Sequence, residues 1–424
     1  MVIGIDASRA NRKFKSGTEW YSYYLIKELA KLDEKNKYIL YTDKPLQDGL
    51  ADLSSAEIKS NKSGPIVDDK GWQVIISPYN NFRAKILTWP FSFFWTQLRL
   101  SWEMLVHRPD ILFIPAHTLP VIHPKKSVVT IHDLGFIREK PLYSQNSLGP
   151  EQPFMRKIID RLVKIFSFGK YGANMLDYLD WSTKFALKHA KRIITVSNFS
   201  KNEIKEIYDT AEAKITVVYN GYNRLLYKKI TDKRKVIVRL AKYGINHPYI
   251  FYVGRLEKKK NIPILVNAYA IMREKYKKIE HKLVLVGEAS YGFDEINYII
   301  EEFNLDDEVI ITGWIPEEDM PYIYNGAMAF IFPSLYEGFG IPLVQAMACG
   351  TPVAASRAGS IPEVARDAVL YFNPDNKREM ADKMAKIITN NDLRDKLVKE
   401  GLNRVKDFSW QKCAEETLAV LENL

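Results

Sequence analysis

The sequence predicts an α/β protein built from two successive doubly wound parallel-sheet domains. Three observations carry this expectation. Short β-branched runs alternate with amphipathic segments; the alternation stops and restarts once; and 424 residues exceed what one ordinary hydrophobic core accommodates. An apolar fraction of 46% with 26% charged residues is the composition of a soluble globular chain.

The first series of strands is expected at Val2 to Asp6, Tyr38 to Tyr41, Val74 to Ser77, Ile111 to Ile114, Val128 to Ile131, Ile193 to Val196 and Ile215 to Val218. Helical segments such as Trp20 to Lys31 and Ser182 to Ala190 lie between them. A run as continuously apolar as Val128-Val129-Thr130-Ile131 suits a parallel sheet covered on both faces. The second series is expected at Tyr249 to Val253, Leu283 to Val286, Val309 to Ile311, Ala329 to Phe332, Val353 to Ala355 and Val369 to Tyr371. Leu225 to Asn246 separates the two as a basic segment without a clear strand, which sets the expected domains at 1–224 and 225–407. Ser409 is placed to cap a last helix within 408–424. Ligands of such sheets bind at the carboxyl ends of the strands, so a cleft between two facing domains is the expected site.

Several classes are set aside. No run approaches the ~18 apolar residues of a membrane span; the most apolar candidate, Ile86 to Trp95, is short and contains Pro90. The first residues read as a strand and not as a secretory signal, and Cys349 and Cys413 alone make no disulfide framework, so a cytoplasmic location is expected. A net charge of +10 fits either anionic partners or plain solubility. No nucleic-acid recognition motif accompanies it, and no nucleic-acid partner is expected. The aromatic residues from Trp89 to Trp102 are read as core or interface packing.

The most informative segment is Phe332-Pro333-Ser334-Leu335-Tyr336-Glu337-Gly338-Phe339-Gly340-Ile341-Pro342. It leaves a strand, turns through two glycines and enters a helix with proline in its first turn, which presents unpaired N–H groups and a positive dipole end to an anion. A carboxylate beside such a site needs another partner, and a sugar hydroxyl suits Glu337. Gln345, eight residues on, lies two turns into the helix and could reach a ribose hydroxyl. The second cluster, Gly254-Arg255-Leu256-Glu257-Lys258-Lys259-Lys260-Asn261, also joins a strand end to a helix. Arg255 and one lysine can project toward a diphosphate as the leaving group departs. No Walker A loop, Asp-x-Asp clamp or His-Glu-x-x-His is present, so no metal is expected and Arg255 with Lys260 are the natural cationic substitutes.

In order and spacing these residues resemble the retaining glycosyltransferases of family 4 (glycosyltransferase group 1), of GT-B fold with two Rossmann-like domains. The matches are Gly17-Thr18, His132-Asp133, Val196-Ser197-Asn198-Phe199-Ser200, Tyr219-Asn220-Gly221, Gly254-Arg255 with Lys260-Asn261, Gly313-Trp314, Glu337-Gly338-Phe339-Gly340, Ala346 to Pro352 and Gly359 to Glu363. The resemblance implies that Arg255 and Lys260 bind the donor diphosphate beside Gly254, that Glu337 holds the transferred sugar, and that the backbone at Gly338, Phe339 and Gly340 completes the phosphate site. It also implies that Gly17 approaches the phosphate and that His132, followed by Asp133, contacts the sugar near the reacting carbon. Implied too are front-face attack with retention, no cofactor beyond a GDP- or UDP-linked mannose or glucose donor, and a last helix packed back on the first domain. A glycan or lipid-linked glycan acceptor of cell-envelope polysaccharide synthesis is expected because of a basic helix over 155–171.

Three departures stand out. Gln345 replaces the family's second glutamate, the first-domain loop reads Ser16-Gly17 in place of two glycines, and the stretch from Phe136 to Trp181 is longer than expected. Within that stretch, Met155, Ile158, Ile159, Leu162, Val163 and Phe166 fall at helical spacing opposite Arg156, Lys157, Arg161 and Lys164. A basic amphipathic helix over 155–171 suggests peripheral contact with the inner, anionic face of a membrane. A nucleotide-sugar epimerase or a non-catalytic scaffold are the competing readings; Gln345 alone favours the scaffold. His107, His117 and His123 are read as structural.

Overall fold

The central strands, such as Ile111–Ile114 and Ser127–Ile131, are short and almost wholly buried, which commits them to a sheet covered on both faces. In the computed structural model, residues 1–46, 50, 72–73, 81–91, 94–143, 157, 160–161, 163–164 and 170–424 are described. The chain forms two compact units: Met1–Arg138, Ser144–Asn220 and Trp410–Leu424 make the first, and Glu139–Tyr143 with Gly221–Ser409 make the second.

The sheet of the first unit contains β1 (Val2–Asp6), β2 (Lys37–Thr42), β3 (Trp72–Gln73), β4 (Phe82–Ile86), β5 (Ile111–Ile114), β6 (Ser127–Ile131), β7 (Arg192–Thr195) and β8 (Ile215–Val217). Their order is β3-β4-β2-β1-β5-β6-β7-β8, parallel throughout except for the antiparallel edge pair β3–β4. The chain reverses its direction of travel across the sheet between β1 and β5, which makes the carboxyl ends of those strands the switch point. The second unit has β9 (Tyr249–Val253), β10 (Lys282–Val286), β11 (Val309–Gly313), β12 (Ala329–Phe332), β13 (Val353–Ser356) and β14 (Leu370–Phe372) in the order β11-β10-β9-β12-β13-β14, all parallel. Here the switch point lies between β9 and β12. The two doubly wound sheets are the fold class expected.

Helix α1 (Gly17–Leu32) begins at a capping box in which Ser16 and Glu19 satisfy each other's end of the first turn. Its buried stripe, Tyr21, Leu25, Ile26 and Leu29, follows helical spacing. Burial of each such side chain contributes about 1.5–3 kcal/mol before entropy is set against it. Helices α2 (Ser101–Val106), α3 (Gly135–Arg138), α4 (Met175–His189) and α5 (Asn198–Tyr208) complete the first half of the chain. The second unit adds α6 (Lys233–Ala241), α7 (Ile262–Lys275), α8 (Phe293–Glu302), α9 (Met320–Gly326), α10 (Ile341–Ala348), α11 (Ile361–Ala365), α12 (Lys377–Thr389) and α13 (Asn391–Arg404). The last helix, α14 (Trp410–Glu422), lies on α1 in the first unit, where Trp410 stacks on Tyr24 at 5.4 Å and meets the edge of Tyr21 at 6.1 Å.

Two differences from expectation have physical causes. Strand β4 is not among the expected strands because Arg83 and Lys85 alternate with Phe82, Ala84 and Ile86, a period-two pattern and not the continuous apolar run of its neighbours. Lys85 is nevertheless buried, its charge matched by the buried Glu103 at 2.5 Å. The segment Leu225 to Asn246 is not plain linker: it holds α6, whose N-terminus is capped by the Asp232 carboxylate. The expected strand Val74 to Ser77 lies outside the described residues. So does most of the expected helix over 155–171; within it Lys157, Asp160, Arg161, Val163 and Lys164 are helical and Lys164 pairs with Asp160 at 2.7 Å. Among the described residues, no helix is long and apolar enough to cross a membrane.

Candidate active site

In the second unit the loops after β9 and β12 leave adjacent strands at the switch point and are joined to each other. The β9–β10 pairing runs past the strand end, with Gly254 N–H donating to the Val286 carbonyl and Leu256 N–H to that of Glu288, both at 3.0 Å. Arg255, between these two tethers, is turned out to solvent, and its guanidinium engages no described residue. Lys258 to Lys260 form a single tight turn that ends at Asn261, and Asn261 is pinned through its side-chain amide to the Pro374 carbonyl at 2.8 Å.

The three lysines are not equivalent. Lys258 pairs with Glu295 at 2.7 Å and Lys259 lies 3.6 Å from Glu257, whereas Lys260 reaches across to the β12 loop and pairs with Glu337 at 2.5 Å. Leu335 N–H donates to the Lys259 carbonyl (3.3 Å), tying the same two loops through the backbone. The Glu337 carboxylate also accepts from the hydroxyl of buried Ser334 at 2.7 Å. Its neighbour in space, unanticipated from the sequence, is therefore a cation. Gly340, in the left-handed region at φ 89°, caps α10, with Pro342 in the first turn and Phe339 buried edge-on against Phe408 at 5.4 Å. Gln345, on α10, accepts a hydrogen bond from buried Tyr324 at 3.2 Å, which leaves its amide N–H₂ to bond elsewhere.

The Glu337 backbone is held by a third loop, the one after β13. Ser360 N–H donates to the Glu337 carbonyl at 3.1 Å, and Gly359, at φ 56°, lies so close that a Cβ there would come within 2.7 Å of the Glu337 oxygen and 2.8 Å of its nitrogen.

In the first unit, His132 leaves the carboxyl end of β6 and is almost fully buried. Its ring packs edge-on against Tyr21 with centroids 4.7 Å apart. Nε2 lies 3.0 Å from the Pro115 carbonyl, which can only accept, so the ring proton sits there and Nδ1 keeps its lone pair. The His132 N–H donates to His117 Nε2 at 3.1 Å, and the two rings stack at 5.7 Å. That bond puts the His117 proton on Nδ1, which is buried without a partner among the described residues. Ser197 caps α5 while Ser200 Oγ donates to the His132 carbonyl at 3.2 Å, so the Ser197-Asn198-Phe199-Ser200 run serves as the floor beneath His132. Asp133 accepts from Gly135 N–H at 3.0 Å and opens α3. Gly17 opens α1, with no atom within 4 Å of where a Cβ would stand.

His117, read from the sequence as structural, thus holds the backbone of His132. It stands after β5 at the sheet's switch point, which strand order alone reveals. Burial pushes its pKa down to about 4 and lowers that of His132 as well. Both rings are therefore neutral in the fold, whereas in the unfolded chain they titrate near about 6.5. The His117 contribution to stability is complete above that value and declines as pH falls toward about 4, by at most about 1.4 kcal/mol per pH unit, and the lowered pKa of His132 adds a loss of the same sign. His117→Gln is expected to make this decline shallower in denaturant titrations; an unchanged slope would show that His117 protonates freely in the fold. Ser200→Ala, which strands the His132 carbonyl, is expected to cost about 1 kcal/mol in the same measurement.

The family model for "Glycosyltransferase Family 4" matches residues 15–224 and that for "Glycosyl transferases group 1" matches residues 240–404. The chain is a GT-B glycosyltransferase. This glycosyltransferase is 28% identical to O-antigen chain mannosyltransferase B of Escherichia coli over 313 residues, covering 73% of this chain and 80% of that one. It is 24% identical to O-antigen chain mannosyltransferase RfbU of Salmonella typhimurium over 373 residues, covering 87% and 86%. Among solved structures, the fold matches sucrose-phosphate synthase from Thermosynechococcus elongatus with a TM-score of 0.68 at 20% identity, over 100% of this glycosyltransferase and 98% of that chain. Anabaena Alr3699/HepE, solved in complex with UDP and glucose, matches with a TM-score of 0.66 at 17% identity, over 100% and 99%.

Proposed function

We infer that the enzyme transfers a hexose of mannose or glucose type from a GDP- or UDP-linked donor to a glycan or lipid-linked glycan, with retention of configuration, in cell-envelope polysaccharide synthesis. The observation that carries this reading is the Lys260–Glu337 pair at the switch point, flanked by an unengaged Arg255 and the N-terminus of α10. Arg255 and Lys260 take the donor diphosphate, and the backbone of Gly338, Phe339 and Gly340 adds N–H donors to it. As the diphosphate draws Lys260 away, Glu337 becomes free to accept from a hydroxyl of the transferred sugar. Gln345 keeps an amide for the ribose. His132 meets the sugar as a neutral acceptor through Nδ1. The acceptor oxygen bonds to the anomeric carbon on the face from which the phosphate oxygen leaves, and the acceptor proton passes to that phosphate. The names of the mannosyltransferase relatives and the nucleotide-bound neighbours support the hexose, the donor class and the glycan acceptor. A lipid-linked acceptor would place the enzyme at the inner membrane face, with 155–171 as one contact.

The test is a thermal-shift screen against GDP, UDP, ADP and their sugar conjugates, with and without EDTA. A shift specific to one nucleotide, unchanged by EDTA, is expected. Because two protein cations take the diphosphate charge, turnover is expected to survive EDTA as well. A strict Mg²⁺ requirement contradicts the metal-free reading, and the absence of any nucleotide shift favours a scaffold with a degenerate site.

A further inference from the structure

The excess charge of the chain is concentrated in one place that the transfer reaction does not use. From Arg224 to Lys242 there are eight lysines and arginines against a single acid, Asp232, so these residues carry +7 of the chain's net +10. Asp232 is engaged at the N-terminus of α6, where its carboxylate accepts from Arg234 N–H and Lys235 N–H. Of the cations, Arg239 is committed to Asp319 at 2.6 Å and Arg224 to the carbonyls of Lys406 and Phe408. Lys233, Arg234 and Lys242 are exposed and meet no carboxylate among the described residues.

The fold decides which side of α6 faces out. Val236 and Leu240, four residues apart, are buried against α9, close enough that a Cβ on Gly326 would strike Leu240 at 2.6 Å and Val236 at 3.1 Å. Off that stripe Ile237 and Val238 are 65% and 64% exposed; Arg234 and Lys242, four residues to either side of Val238, share its outward face, and Lys233 stands one turn before Ile237 on the flank. Two adjacent β-branched residues held in water on a helix with a low intrinsic preference for them call for a counterpart.

We propose that the outward face of α6 docks the enzyme on an anionic lipid bilayer, the cations meeting headgroup phosphates and Ile237 and Val238 entering the interfacial layer. The combination selects this partner. A soluble polyanion rewards cations but gives nothing to exposed aliphatic side chains, whereas a bilayer surface takes both. Each lysine or arginine close to such a surface contributes about 1 kcal/mol, and salt screens the attraction. This surface goes beyond the donor-site reading and does not depend on it, since no residue of α6 belongs to the proposed machinery.

The experiment is co-sedimentation of the full chain with vesicles of phosphatidylcholine containing phosphatidylglycerol, against vesicles of phosphatidylcholine alone. Two variants accompany the wild type: Lys233→Glu/Arg234→Glu/Lys242→Glu and Ile237→Ser/Val238→Ser. All five positions are exposed, and nucleotide-induced thermal shifts measured on each variant report both folding and the donor site. Wild type is expected to bind the anionic vesicles only, the charge variant about tenfold or more weaker and the serine variant several-fold weaker. Failure of the wild type to bind, or full binding by both variants, overturns the proposal; the latter result assigns docking to another surface such as 155–171. Loss of binding in the charge variant alone, with equal retention of wild type and serine variant on heparin, also overturns it and identifies a site for soluble polyanions. The nucleotide arm fails separately if the donor reading is wrong.

Discussion

Replacing Arg255 or Glu337 by alanine is expected to lower turnover by roughly 10²-fold or more in each case. The two losses should differ in kind. Arg255 stands exposed with no partner among the described residues, so its removal is expected to leave the resting structure intact. What disappears is charge placed where the diphosphate leaves, so kcat should fall along with donor affinity. Glu337 is different because it is already held at 2.5 Å by Lys260 and at 2.7 Å by Ser334. Its removal takes away the carboxylate that competes with the diphosphate for Lys260, so Glu337→Ala should keep or tighten nucleotide affinity while kcat collapses. Lys260→Met is expected to weaken nucleotide binding, and a double-mutant cycle between the two positions should be strongly non-additive. Steady-state kinetics and nucleotide titration on the four proteins check this. Near-wild-type rates for both Arg255→Ala and Glu337→Ala would remove the site assignment.

Gly359→Ala is expected to reduce kcat/KM by about 10²-fold through a residue that carries no chemistry. An alanine at φ 56° pays about 1–2 kcal/mol for the left-handed backbone alone. The added methyl would also stand 2.7–2.8 Å from the backbone oxygen and nitrogen of Glu337, and backbone cannot swing aside as a flexible side chain can. The β12 loop must shift, carrying the carboxylate with it and breaking the 3.1 Å bond from Ser360 N–H. Gly244→Ala is the control. Gly244 has a similar φ of 70° but nothing within 4 Å of its Cβ position, so it should lose stability by the backbone cost and keep its activity. Equal activity in the two variants would show that the Gly359 contact does not position Glu337.

Much of the candidate site was legible because it is made of local signals. A strand, a glycine turn and a proline-opened helix are contiguous, so Phe332 to Pro342 declares an anion-binding junction without knowledge of anything else. The same holds for Gly254 to Asn261. What could not be read is who meets whom. Lys260 and Glu337 are 77 residues apart, and although the family match singles out Lys260 from Lys258 and Lys259, nothing in either segment shows that it pairs with Glu337. His117 reads as one more histidine until the strand order places β5 beside β1 and β6. In the sequence Ser200 stands out merely as the end of the Val196 to Ser200 match, and only the packed unit shows its hydroxyl supporting the His132 carbonyl.

By itself the sequence determined the two doubly wound sheets, most of their strands, and the turns expected to carry chemistry. Periodicity, glycine and proline act over a few residues and survive in any surroundings. Tertiary structure alone decided the rest: the burial of Lys85 against Glu103 that makes β4 a strand, the pairing of Lys260 with Glu337, the loop that fixes Glu337 in place, and the side of α6 that faces water. Each of these depends on a charge or a volume finding its complement across the fold, and complementarity between distant residues leaves no mark on either segment alone.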